Sequence, residues 1–178
     1  TQNLKLITHN SFIMSEEKFD WSTVIKKVYI ETDKQSVTDA WLKVDGLNQW
    51  FLREAVYTSK SGEHRTNTFQ VGDSYIWRWH GYADDVNESG EVRSLSPYEF
   101  SFSFAGGSIC SLKIEEFKTG TLLTLSQSNI PTDEKGKSYY HVGCSNGWTF
   151  YLTNLKSVLE GGLDLRNKDE SMQGLAHA

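Results

Sequence analysis

His80 is followed closely by Asp84, Asp85 and Glu88, and an imidazole beside carboxylates is the raw material of a metal site or a general acid–base pair. The acids also surround the turn residues of a hairpin, and a solvated turn accounts for them with no chemistry. His141 lies on the same stripe as Trp148, two helical turns earlier, where a histidine facing a cavity can orient a polar ligand; a hydrogen-bonded core histidine has the same pattern. Cys144 has the type of a nucleophile, but no histidine and carboxylate stand in a recognisable relation to it. Cys110 and Cys144 have neither zinc-like spacing nor the density of a disulfide scaffold, and read as two reduced, buried thiols. Neither a metal nor a cofactor is expected.

A second constellation is apolar. Tyr75, Trp77 and Trp79 alternate onto one strand face, as do Phe100, Phe102 and Phe104. Both rows should look inward. With Trp148 from a helix they can line a pocket, since ligand sites are mostly hydrophobic with a few placed polar groups. Filling of the core by the same rings is the simpler alternative. The full expected wall is Trp41, Trp77, Trp79, Phe102, Phe104, His141, Trp148 and Tyr151.

These residues need elements to hold them. Val24 to Thr32 reads as a first strand, with Val28 and Ile30 on one face. Ser36-Val37-Thr38-Asp39 reads as a capping box opening a short helix that presents Val37, Ala40, Trp41 and Val44 and stops near Gly46, with a further helical turn over Leu47 to Phe51. From Arg53 to Ser128 short alternating segments are separated by turn residues, as in an antiparallel meander: Glu54–Thr58, Tyr75–His80, Tyr82–Leu95, Tyr98–Phe104, Ser108–Phe117 and Leu122–Gln127, with Thr66–Phe69 a weaker strand. A long amphipathic helix from about Ser138 to Glu160, roughly 34 Å at 1.5 Å per residue, carries Trp148, Leu152, Leu155 and Leu159 on one face, extended backwards by Cys144 and His141. Gly161-Gly162 should end it. Phe150, on the opposite side, should face solvent, the tail or a neighbouring subunit.

The order of strand, two short helices, antiparallel meander and long closing helix resembles the helix-grip fold of the START-like, SRPBCC superfamily. Within it the chain is most similar to the family of the C-terminal domain of the activator of heat-shock protein 90 ATPase and its free-standing bacterial relatives. The carrying residues are Val37-x3-Trp41, Trp50-Phe51, Gly72-Asp73, Gly90-Glu91-Val92 leading to Pro97, and Gly147-Trp148-x3-Leu152-x2-Leu155-Lys156-x2-Leu159-Glu160. The match spans about residues 24–161. It implies an α+β fold in which a strongly curved sheet of six or seven strands wraps the terminal helix, with a cavity between them that relatives use for hydrophobic ligands or cyclisation chemistry. Other relatives use the outer surface to contact the chaperone.

Three functions follow as expectations. The first is a non-enzymatic protein enclosing a small hydrophobic or amphipathic molecule. The second is an interaction module with a chaperone partner in the stress response. The third is a cyclase-like or hydrolase-like enzyme using His141 or Tyr151 for proton transfer, which would need polar groups converging among almost wholly aromatic rows. The 178 residues suit one domain, expected over 21–162, with an N-terminal extension over 1–20 and a patternless tail over 163–178. Residues before Met14 read as an extension of the native chain. A formal net charge of −5 without a Lys/Arg cluster argues against nucleic acid, and no window approaches the ~20 apolar residues of a membrane span. A cytoplasmic monomer or homodimer is expected.

Overall fold

The computed structural model describes residues 19–169 and 171–172. The expected extension over 1–20 therefore lies, except for its last two residues, outside the described residues, as does the start at Met14. The elements are β1 (Val24–Ile30), α1 (Lys34–Leu42), α2 (Val44–Trp50), β2 (Glu54–Thr58), β3 (Ser74–Arg78), β4 (Asn87–Leu95), β5 (Glu99–Phe104), β6 (Ser108–Phe117), β7 (Gly120–Ser128) and α3 (Cys144–Leu159), the last continuing from a π-helical segment over Gly136–Gly143. The strands form one seven-stranded antiparallel sheet in the order β1-β7-β6-β5-β4-β3-β2. The sheet is curved and open, and α3 lies in its concavity as in the helix-grip fold.

Local signals were displaced in four places, the first being the strand expected from Tyr82, which begins only at Asn87. α1 is capped by Asp33, whose carboxylate takes the Ser36 N–H at 2.9 Å, so the helix starts at Lys34 rather than at a box opening on Ser36. Asp39 pairs instead with Gln35 and Lys43. The break between the two short helices falls at Lys43, which takes an extended conformation and bridges Thr68, not at Gly46. Gly46 sits inside α2, where the close approach of α1 requires glycine: a Cβ would stand 2.3 Å from the Asp39 carbonyl oxygen. Thr66–Phe69 forms no strand beyond that bridge at Thr68, yet Phe69 is buried and stacks on Tyr57 at 4.4 Å.

α3 buries Trp148, Tyr151, Leu152, Asn154 and Leu155, a wider arc than the single stripe, and Phe150 is half-buried against the core beside Tyr151. Gly161 ends the helix with φ of 78°. The chain then folds back instead of trailing away. Arg166, only 6% exposed, donates to the carbonyls of Asn48, Gln49 and Leu52 at the end of α2, and ion-pairs with Asp164 at 2.6 Å. Asn154 completes the clamp by donating to the Trp50 carbonyl and to Asp164 while accepting from Leu165 N–H. A helix end leaves carbonyls without partners, and here the tail supplies them. Burial alone would raise the Asp164 carboxyl, but hydrogen bonds from Arg166 and Lys168 hold it well below the usual carboxylate range.

Candidate functional site

The two inward aromatic rows form as expected, but they meet different fates at the two ends of the sheet. At the end under α1, Trp41 and Trp50 contact edge to face at 4.7 Å, and Trp41 reaches Phe100 at 5.8 Å and Trp148 at 6.3 Å. Trp50 Nε1 donates to the Ala40 carbonyl at 2.9 Å. Further along, Trp77 packs on Phe102 at 5.1 Å and Trp148 on Phe51 at 5.5 Å. Trp41, Trp77, Phe102 and Trp148 are each at most 3% exposed, so of the expected wall these four lie in contact with other rings. Trp148 is further anchored through Nε1–H to Gln127, which in turn donates to Ser108.

The opposite end, where β3 and β5 finish and α3 begins, is less filled. Trp79 and Phe104 are half-buried there, packed against the core. Trp79 touches Phe51 at 5.9 Å, and its Nε1, like that of Trp41 at the other end, is buried with no hydrogen-bond acceptor among the described residues. Phe104 contacts Trp148 at 5.2 Å and Trp77 at 6.2 Å. Tyr151 is buried against Phe51 at 4.8 Å. Cys144 is half-buried at the start of α3, where burial raises its thiol and the Gln127 side chain reaches it; Cys110, on β6, is fully buried. Both thiols are free.

Glu88 belongs to this open end, whereas the sequence grouped it with His80 and the acids of the hairpin turn. It pairs across the strands with Trp77, and it shares an inward face with Gly90 and Val92. Gly90 must lack a side chain because the Tyr75 ring covers it: a Cβ would lie 2.6 Å from the tyrosine hydroxyl oxygen, which itself donates to the Ser103 carbonyl. Glu88, one step nearer the rim, accepts from the Ala105 backbone N–H. Burial pushes its carboxyl up to about 7. The period-two alternation back from Val92 was the signal available; the neighbouring turn acids obscured it.

The grouping of His80 with those acids is not brought together. Asp84 and Asp85 are exposed, and Asp84 pairs with Arg53. His80 lies toward the tail clamp, where burial and then Arg166 and Lys168 lower its pKa. No group of three potential ligands suited to a metal ion occurs among the described residues. His141 also stands apart from the aromatic lining. Its Nδ1–H donates to the Trp21 carbonyl at 2.9 Å, and its ring contacts those of Phe19 at 5.3 Å and Trp21 at 5.1 Å. The π-helical winding of Gly136–Gly143 breaks the 3.6-residue count used to place it beneath Trp148. No helix is long and apolar enough to cross a membrane among the described residues.

A family model described as Activator of Hsp90 ATPase homolog 1-like protein matches residues 31–160. Among curated protein sequences, none matches this chain. Among solved structures, protein SSP2350 from Staphylococcus saprophyticus aligns with a TM-score of 0.65 at 18% identity, over 81% of this chain and 96% of that one. The Aha1 dimer from Colwellia psychrerythraea aligns with a TM-score of 0.61 at 21% identity, over 79% and 97%. CalU16 from Micromonospora echinospora aligns with a TM-score of 0.57 at 21% identity, over 77% and 75%. At these identities the structures speak for a shared fold.

Proposed function

Because the chain belongs to the Activator of Hsp90 ATPase homolog 1-like protein family, we propose that it acts as such a grip can when one end of its lining is left uncovered: as a non-enzymatic binding protein holding a small hydrophobic or amphipathic molecule between the sheet and α3. The contact surface is Trp79, Phe104 and the rim of Trp77, with Glu88 as the polar group. The observation that carries this reading is the lining itself, closed around Trp41, Trp77 and Phe102 but leaving the Trp79 and Phe104 rings half-buried where α3 begins. His141, hydrogen-bonded to a backbone carbonyl, gives no support to an enzymatic alternative that relies on it. Titration with a naphthyl probe, followed by tryptophan quenching and calorimetry, tests the proposal. Saturable binding that falls on Phe104→Ala supports it, and no binding up to millimolar probe overturns it.

The packed centre favours a second reading, in which the outer surface engages a chaperone. The family's description and the relation to the Aha1 dimer support that reading. A pull-down with the organism's own heat-shock protein 90, followed by an ATPase assay, tests it: no association at tens of micromolar removes it.

A further inference from the structure

We propose that the open end of the grip selects an organic cation, a protonated amine carried on an apolar body, with the Glu88 carboxylate as its counter-charge and the Trp77 and Phe104 rings flanking it. This rests on the ligand-site reading above and specifies its chemistry.

Glu88 differs from the other strand carboxylates. Glu54, Glu91 and Glu115 each face a basic partner, Arg78, Arg93 and Lys113 respectively. No Lys, Arg or His among the described residues stands within ion-pair distance of Glu88, and its one hydrogen bond comes from the Ala105 N–H. One backbone amide leaves most of a carboxylate's acceptor capacity unused. A carboxylate turned inward without a counter-ion is costly, so either a proton or an external cation must neutralise it. The surroundings favour a cation. Trp77 lies directly across the strand pair, and Phe104 immediately precedes the residue whose N–H holds the carboxylate. Aromatic faces are the negative ends of ring quadrupoles, which attract ammonium groups and repel anions. Their apolar surface meanwhile takes the ligand's body.

Proton and cation therefore compete for the same group. Glu88 is faced by Tyr75 from β3, Cys110 from β6 and Cys144 from α3, all of which burial raises above their ordinary values. Glu88 alone among them changes charge between pH 6 and 8. An amine stays charged over that range, so its binding should strengthen as the pH rises through the titration of Glu88, by about tenfold between pH 6 and pH 8.

The test compares 1-naphthylmethylamine with 1-naphthylmethanol, a neutral molecule of nearly the same shape, by calorimetry on the wild type and on Glu88→Gln. The amide keeps an acceptor for the Ala105 N–H while removing the charge. The expected result at pH 8 is that the amine binds the wild type at least about tenfold more tightly than the alcohol, as one desolvated charge pair with aromatic flanks would give. In Glu88→Gln that preference should vanish while alcohol binding persists. Equal binding of the two probes to the wild type, or a preference that survives in Glu88→Gln, overturns the cation inference and leaves the ligand site standing. If neither probe binds the wild type, the ligand site itself is refuted and this inference with it.

Discussion

The two ends of the grip are lined by the same kinds of residue and are packed differently. Under α1, Trp41 and Trp50 are each 1% exposed, touch one another, and in the case of Trp50 satisfy the indole N–H within the chain. Where α3 begins, Trp79 and Phe104 are only half-buried and Glu88 has no counter-charge among the described residues. Closed aromatic contacts contribute stability. Incomplete ones leave interaction capacity for a ligand. Mutations at the first end should therefore act on folding, and mutations at the second on binding.

The sharpest way to break this contrast is to truncate at each end. Trp41→Ala should destabilise the protein by about 3–5 kcal/mol, read in urea melts, because a large side chain in contact with several other rings leaves a cavity. Arg166→Ala should cost about 3 kcal/mol, since it strips the α2 carbonyls of their donors and leaves Asp164 without its main partner. A loss below 0.5 kcal/mol would show that the tail merely rests on the domain. Phe104→Ala at the open end should cost only about 1–2 kcal/mol of stability, as a half-buried ring, while weakening naphthyl probe binding by roughly tenfold. A stability loss equal to that of Trp41→Ala would erase the distinction between the ends.

The smallest effect expected is pH-dependent. Glu88 titrates near 4.5 when unfolded and at about 7 in the fold, because burial disfavours its charge. Between those values the folded state binds the extra proton, so the Glu88 contribution is fully present below pH 4.5 and is lost as the pH rises through 7. Glu88→Gln should therefore gain stability relative to wild type as pH increases from 5 to 8, by about 1 kcal/mol once solvent screening of a half-buried group is allowed for. A flat difference across that range would mean that Glu88 is not desolvated.

The parts of this architecture legible in the sequence are those written as periodicity. The alternation of Tyr75, Trp77 and Trp79 and of Phe100, Phe102 and Phe104 gave two inward rows, and the spacing of Trp148, Leu152 and Leu155 gave the gripped helix. What was not legible depends on single long-range partners. Arg166 finds its acceptors more than a hundred residues earlier in the chain, at Asn48, Gln49 and Leu52, and nothing local marks a tail arginine as a helix cap. His141 was misplaced because a π-helical turn changes the angle per residue without changing composition. Glu88 sat in an acidic turn, and only its register opposite Trp77 sets it apart from Asp84 and Asp85. Whether an aromatic row is filled or open depends on what packs across from it, which alternation does not encode.

The most direct test of the contrast between the ends uses the indole N–H signals of the six tryptophans in a two-dimensional nitrogen–proton spectrum, followed as 1-naphthylmethylamine is added. The Trp79 signal should shift progressively and saturate, while those of Trp41 and Trp50 stay in place. Shifts led by Trp41 or Trp50, or a saturating calorimetric response that leaves Trp79 unmoved, would contradict an account that places recognition at the open end.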